Sequence, residues 1–196
     1  MNYIAHIHIA QHTNTSMVGN FLGDFVKGSE LGYLPTALES GIRLHRSVDV
    51  FTDQHPGIVE LKNTFPANIR RMAGIAIDIY FDHLLLQHWQ AFSKQAYQQT
   101  LASFYQELQA CPLAINPRYA MLRGSLLQEQ WLEHYIDVET CLRAFKSIEA
   151  RLHNRVTFAQ QASEFLQQKQ QYANQIFLDF YPDLLRHARY YCTKNR

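Results

Sequence analysis

The chain has 196 residues, 47% of them apolar, and its 18 basic and 17 acidic side chains leave a formal net charge of +1. That length suits one domain that buries its own core without disulfides or structural metals, and the apolar share excludes a disordered chain. The near-neutral balance supplies no whole-molecule field that would call for nucleic acid as a partner.

The first segment, Met1–Ala10, partly alternates through Ile4, His6, His8 and Ala10, so it reads as either a short strand or a helix. Ser16 then predicts the cap of a helix whose apolar Val18, Phe21, Leu22, Phe25 and Val26 fall at spacings of three and four, with Gly28 as its stop. Residues 28–35 hold two glycines and one proline and predict a loop. Thr36 predicts the cap of a long helix through about Thr52, with Glu39 placed for a capping box and Leu38, Ile42, Leu44, Val48 and Phe51 as its buried stripe. A short helix follows Pro56. Asn68 predicts the cap of the next helix, which reaches Phe92. Its middle, Ala73–Leu86, is apolar on several sides, as a central, surrounded helix would be.

Helices over 94–110, 117–135, 138–152 and 156–192 complete the expectation. Pro112 and Pro117 bracket a connection, and Pro182 breaks or kinks the last helix. The glutamine-rich tract Gln160–Gln171 is interrupted by Phe165 and Leu166 and reads as a solvated helical face. No hairpin signal and no internal repeat appear. The fold class expected is all-α, a single-domain multi-helix bundle spanning residues 1–196.

Cys111, Cys141 and Cys192 are few and far apart, with no CxxC pair. A zinc ribbon and a thioredoxin motif are therefore excluded, and indifferent thiols in a reducing compartment are expected. No apolar run reaches about 18 residues, the minimum for a membrane span. The first ten residues carry two histidines and lack the basic start of a signal peptide. A soluble, cytoplasmic protein is the expectation.

The residues able to do chemistry are unevenly placed. His45 and Asp49 are four apart, Asp53 follows four later, Asp78 and Asp82 are again four apart, and His83 adjoins Asp82. Residues four apart share one face of a helix, so each pair can point at one spot. Two such faces meeting in a bundle, with Asp24 nearby, would surround a cavity with imidazoles and carboxylates, which is how helical bundles build metal sites. Nitrogen and oxygen ligands without thiolate favour manganese, iron(II), magnesium or zinc. Asp78 and Asp82 interrupt an apolar run, and a buried carboxylate needs a metal ion or an ion pair; Arg43, Arg46, Arg70 or Arg71 would supply the latter. His83 lies about 100° round the helix from Asp82, so the two share an ion only if it sits between them. His6 and His8 would share a face on a strand and diverge on a helix; they and Asn20 are possible site-lining residues. The other histidines, at 12, 55, 88, 134, 153 and 187, read as surface or packing residues. No GxSxG, Walker A, GxGxxG or HExxH motif is present.

Several blocks resemble one known family. The opening Asn2-Tyr3-Ile4-Ala5-His6-Ile7-His8-Ile9-Ala10 resembles the start of acyl carrier protein phosphodiesterases. So do Gly19-Asn20-Phe21-Leu22-Gly23-Asp24-Phe25-Val26-Lys27-Gly28 and Gly41-Ile42-Arg43-Leu44-His45-Arg46-Ser47-Val48-Asp49, the latter continuing to Thr52-Asp53. Asp78-Ile79-Tyr80-Phe81-Asp82-His83 and Glu129-Gln130-Trp131-Leu132 are similar too, in the family's order. The C-terminal third is similar only in length, helicity and the end Phe180-Tyr181-Pro182. The resemblance implies a distant relation to HD-type metal phosphohydrolases. It implies hydrolysis of the phosphodiester between 4′-phosphopantetheine and serine in holo acyl carrier protein, leaving the apo form. Manganese, or magnesium or iron(II), would be the cofactor.

With that activity, Asp24, His45, Asp78, Asp82 and His83 are the candidate metal ligands. Asp49 or Asp53 would take a proton from water, and Arg46 would neutralise phosphoryl charge. Carrier proteins are acidic, so Lys27, Lys62, Arg70 and Arg71 are candidates for a docking patch. Two competing readings are a phosphohydrolase of a nucleotide or other small phosphate ester, and a metal-free helical binding protein whose carboxylates only make ion pairs.

Overall fold

A computed structural model describes residues 1–153 and 155–195. Among these residues every regular element is helical. In chain order they are α1 (Tyr3–Thr13), α2 (Met17–Leu22), α3 (Thr36–Gln54), α4 (Pro56–Thr64), a 3₁₀ turn at Arg70–Met72, α5 (Ala73–Gln87) and α6 (Trp89–Phe92). Then come α7 (Tyr97–Ala110), α8 (Pro117–Glu129), a 3₁₀ turn at Trp131–Ile136, α9 (Glu139–Arg151), α10 (Ala159–Gln168) and α11 (Gln170–Lys194). One hydrophobic cluster joins residues from Met1 to Ala188. No helix of the described residues is long and apolar enough to cross a membrane.

The ambiguity of the first segment resolves to a helix at the centre of the molecule. Every residue from Ile4 to Ala10 is buried, because α1 packs against α2, α5, α7 and α11. Burial on all sides removes the periodicity that distinguishes helix from strand in a sequence. The N-cap residue, Asn2, makes no side-chain cap. Instead Asp82 reaches in from α5, its Oδ2 accepting Ile4 N–H and its Oδ1 accepting Ala5 N–H, both at 2.9 Å. Two of the four orphan donors of a buried helix start are thereby satisfied from 77 or 78 residues away.

Helix α2 lies across α3 at very short range. A Cβ at Gly41 would stand 2.6 Å from the carbonyl carbon of Gly19 and 2.7 Å from Asn20 N. Those are backbone atoms, which cannot step aside as a side chain can. Gly41→Ala is expected to destabilise the fold by about 1–3 kcal/mol or more, as overpacking does. A lower urea midpoint at unchanged slope checks this.

The structure departs from the sequence expectation at element ends. Helix α2 keeps its Ser16 cap, the hydroxyl accepting Gly19 N–H at 2.8 Å, but stops at Leu22 rather than Gly28. The chain turns there with Phe25 and Val26 buried. Pro35 is the N-cap of α3, and Glu39 pairs with Arg43 at 2.7 Å instead of closing a capping box on Thr36. Asn68 donates to Gln161 and caps nothing; the segment 68–92 is divided among a 3₁₀ turn, α5 and α6. The predicted helices over 117–135 and 156–192 each split, the second at Lys169, where the chain leaves α9 to pack on α3. Pro182 does not end α11. Its neighbours Phe177, Phe180, Tyr181 and Leu184 are fully buried, and their burial outweighs the roughly 3 kcal/mol that an internal proline costs.

Candidate metal centre

Three helices bring their polar exceptions to one point. His6 comes from α1, Asn20 from α2, and His45 and Asp49 from consecutive turns of α3. The two imidazole rings stack, centroids 3.9 Å apart and 23° from parallel. Their Nε2 atoms face the same carboxylate: His6 meets Asp49 Oδ1 at 3.2 Å and His45 meets Oδ2 at 3.0 Å. One potential ligand atom from each of these three residues lies within 4.8 Å of the others. His6 Nδ1 donates to Asn20 Oδ1 at 3.0 Å, which orients the ring. Gly23 makes room for the second ring, since a Cβ there would fall 2.2 Å from His45 Cδ2 and Cγ.

The electrostatics set a weakly basic His45 beside an ionised carboxylate. Burial holds His45 below the usual histidine range, helped by the charge of His6 and opposed by Asp49. Burial alone would raise Asp49, but hydrogen bonds from His45 and His6, with the nearby α-ammonium, hold it well below the usual carboxylate range. The Met1 α-ammonium is buried between Asp49 and Asp78, 3.3 Å from an oxygen of each. Its pKa is raised to about 10, burial being outweighed by those two carboxylates.

This donor set fits a divalent cation. It offers two imidazole nitrogens and a carboxylate oxygen without thiolate. His45 Nδ1 and Asn20 Nδ2 are buried and have no hydrogen-bond partner among the described residues. A buried imidazole with an unsatisfied nitrogen is poor scaffolding, and such exceptions in a native interior call for another reason.

The remaining candidates fall around this centre at different distances. Asp24, half-buried in the turn after α2, acts electrostatically on both His45 and Tyr3. Asp78 adjoins through the Met1 ammonium. Asp82 is fully buried and engaged by α1; burial pushes it up to about 7 against the two amide hydrogen bonds. His83 turns aside, as the angular offset from Asp82 allows, and bonds the Tyr135 carbonyl through Nδ1 at 2.8 Å. His8 points the other way along α1, its Nδ1 2.8 Å from the Tyr181 hydroxyl. Burial takes it down to about 3, helped by His12 and opposed by a backbone bond to Phe92.

Asp53 is exposed and paired with Lys62 at 2.7 Å. Arg46 donates to the Val26 carbonyl at 3.1 Å and so braces the turn that carries Asp24. Arg70 donates to the Phe65 carbonyl, while Lys27 and Arg71 are exposed. The sequence reading did not place His6 in a ligand set or assign any role to the α-ammonium. The only available signal for His6 was its place in the H-x-H pair.

A cavity of about 660 Å³ opens beside the centre. Met1, Asp24 and Asp78 line it at the end next to His45 and Asp49, and α8 and α9 form much of the rest. Asp78 on the cavity wall is 33% exposed and Asp49 40%, so solvent reaches both carboxylates that flank the Met1 ammonium.

Comparison with known proteins agrees with the sequence blocks. A family model described as acyl carrier protein phosphodiesterase matches residues 1–184. A protein of Yersinia pestis named acyl carrier protein phosphodiesterase is 34% identical over 196 residues, covering 97% of this chain and 98% of that protein. One of the same name from Serratia proteamaculans is 32% identical over 194 residues, covering 96% of this chain and 98% of its own. No solved structure matches the chain. A match of this extent makes the chain a member of the acyl carrier protein phosphodiesterase family.

Proposed function

We propose that this chain is a divalent-metal-dependent phosphodiesterase that releases 4′-phosphopantetheine from the serine of holo acyl carrier protein. The observation that carries the reading is the convergence of His6, His45 and Asp49 on one point, within 4.8 Å, joined through the Met1 ammonium to Asp78 on the wall of a cavity. Those three residues would hold the ion, with Asp24 and Asp78 at its open side. Manganese suits mixed imidazole and carboxylate ligands, as do magnesium and iron(II). Bound there, the ion supplies Lewis-acid stabilisation of phosphoryl charge and acidifies water.

The chain's own groups do the rest. Asn20 keeps the His6 ring oriented. Asp49 stays ionised and draws both imidazoles together. Asp24 and Asp78 stand where a carboxylate can accept a proton from an attacking water. Arg46 keeps the Asp24 turn in place. Lys62 and the Arg70–Arg71 pair lie at the N-terminal end of α5, with Lys62 against Gly74, and form a basic flank suited to an acidic carrier protein. The reading also retains the distant relation to HD-type phosphohydrolases and a cytoplasmic setting, where carrier protein and reduced thiols coexist.

The test is incubation of chelator-treated protein with holo carrier protein, with and without manganese, followed by mass spectrometry of the carrier. Loss of the phosphopantetheine arm only with metal is expected. Metal-independent loss would sink the metal role, and an intact arm in both samples would sink the substrate.

A further inference from the structure

The cavity beside the centre extends well past the ligating side chains, and its lining selects for a shape of ligand. Away from Asp24 and Asp78 the walls turn aliphatic, with Ile79 and Ile148 inside. Met121 and Ile75 flank the same cleft while 77% and 40% exposed. Large apolar side chains left in water around a concavity mark a surface that something covers. Tyr3, Trp131 and Tyr135 add aromatic surface to one side of the same cleft, Trp131 held there by its indole N–H on Ser125 Oγ at 3.0 Å. A flexible chain of methylenes gains apolar contact, and Asn2, His134 and Ser147 offer polar groups along the way.

We propose that this cleft, between α5, α8, α9 and the 131–136 turn, receives the pantetheine arm. The phosphodiester would lie at the Asp24–Asp78 end, and the two amides and terminal thiol along α8 and α9. The proposal rests on the phosphodiesterase reading above and names the subsite which that substrate needs. The 660 Å³ volume is within the roughly 300–1,000 Å³ of pockets that hold drug-sized ligands, and the arm is a ligand of that size. Arg118, Arg143 and Arg151 line the same cleft and are solvent-exposed, so the surface a carrier protein meets as its arm enters is cationic.

Pantetheine without its phosphate isolates the cleft from the metal centre. Calorimetric titration of pantetheine into the wild type and into Ser147→Trp and Ala144→Trp is the test. Ser147 is exposed, so its variant keeps the fold even if filling the narrower position at Ala144 does not. The wild type is expected to bind. Each folded variant, judged by an unchanged melting temperature, is expected to bind at least about tenfold more weakly and to lose kcat/KM on holo carrier protein by a similar factor. Equal binding by wild type and Ser147→Trp, or no binding to the wild type, overturns the assignment. If the wild type binds pantetheine, Ser147→Trp does not, and yet holo carrier protein keeps its arm in the presence of manganese, the cleft assignment stands and the phosphodiesterase reading falls.

Discussion

His45→Gln is expected to lower kcat/KM on holo carrier protein by more than about 100-fold, the upper end of what loss of a group merely supporting a metal ligand costs. It is also expected to remove high-affinity manganese binding. The substitution deletes the nitrogen that faces Asp49 Oδ2 at 3.0 Å and breaks the stack on His6. Stability should behave oppositely. His45 is buried with Nδ1 unsatisfied, so the folded state loses a strained polar group along with the ring. An unfolding free energy within about 1 kcal/mol of wild type, or above it, is the expected companion result. Steady-state kinetics, manganese titration and denaturation on one preparation check all three. Activity within tenfold of wild type with manganese still bound would mean that the ion, if any, sits elsewhere.

Asp82→Ala is expected to have the largest effect on stability. Both oxygens of this carboxylate are used, each accepting a buried amide of the α1 start at 2.9 Å. Alanine leaves those two N–H groups without acceptors in a dry interior, at a cost of about 1–3 kcal/mol each. For a chain of 196 residues, the sum corresponds to a melting temperature lower by roughly 10 °C, at about 2–4 °C per kcal/mol. Asp82→Asn keeps one acceptor oxygen and should fall between. Thermal melts of the three proteins decide the matter; an alanine variant melting within 2 °C of wild type would remove the capping role. A ligand role alone predicts a different pattern, with activity lost and melting unchanged in the absence of metal.

The sequence made the helical class and the α3 contribution legible for a simple reason. His45 and Asp49 sit on a helix with one wet and one dry face, so the four-residue spacing translates directly into a shared direction. On α5 the spacing has a second consequence. Asp78 and Asp82 do share a face, but that face meets the beginning of α1, so one carboxylate binds backbone amides and the other an α-ammonium. Which group occupies the far side of a pair is a tertiary fact that spacing does not encode. His6 was obscured because α1 is surrounded, and a residue run that is buried everywhere carries no period to read. His83, named with Asp82 as a candidate ligand, lies at an angular offset from it and meets the Tyr135 carbonyl. The ends of the longer helices were misplaced where packing redirects the chain, at Leu22, Gln87 and Lys169, since propensity is weaker than the burial of Phe25, Trp89 or Phe177.

The central position of α1 bears on how the chain is made. During synthesis this helix emerges before the elements that cover it, and its buried surface is completed by α5 and by Tyr181 of α11, which bonds His8 from 173 residues away. Until α11 is made, His8 lacks its Tyr181 partner and the side of α1 that meets α11 stays uncovered, whereas His6 already has Asn20, His45 and Asp49 beside it. Contacts of such long sequence separation slow folding and prolong the exposure of sticky intermediates. Vectorial production thus leaves part of the central helix waiting for an element made much later, and a chain cut before α11 would keep that side of α1 in water.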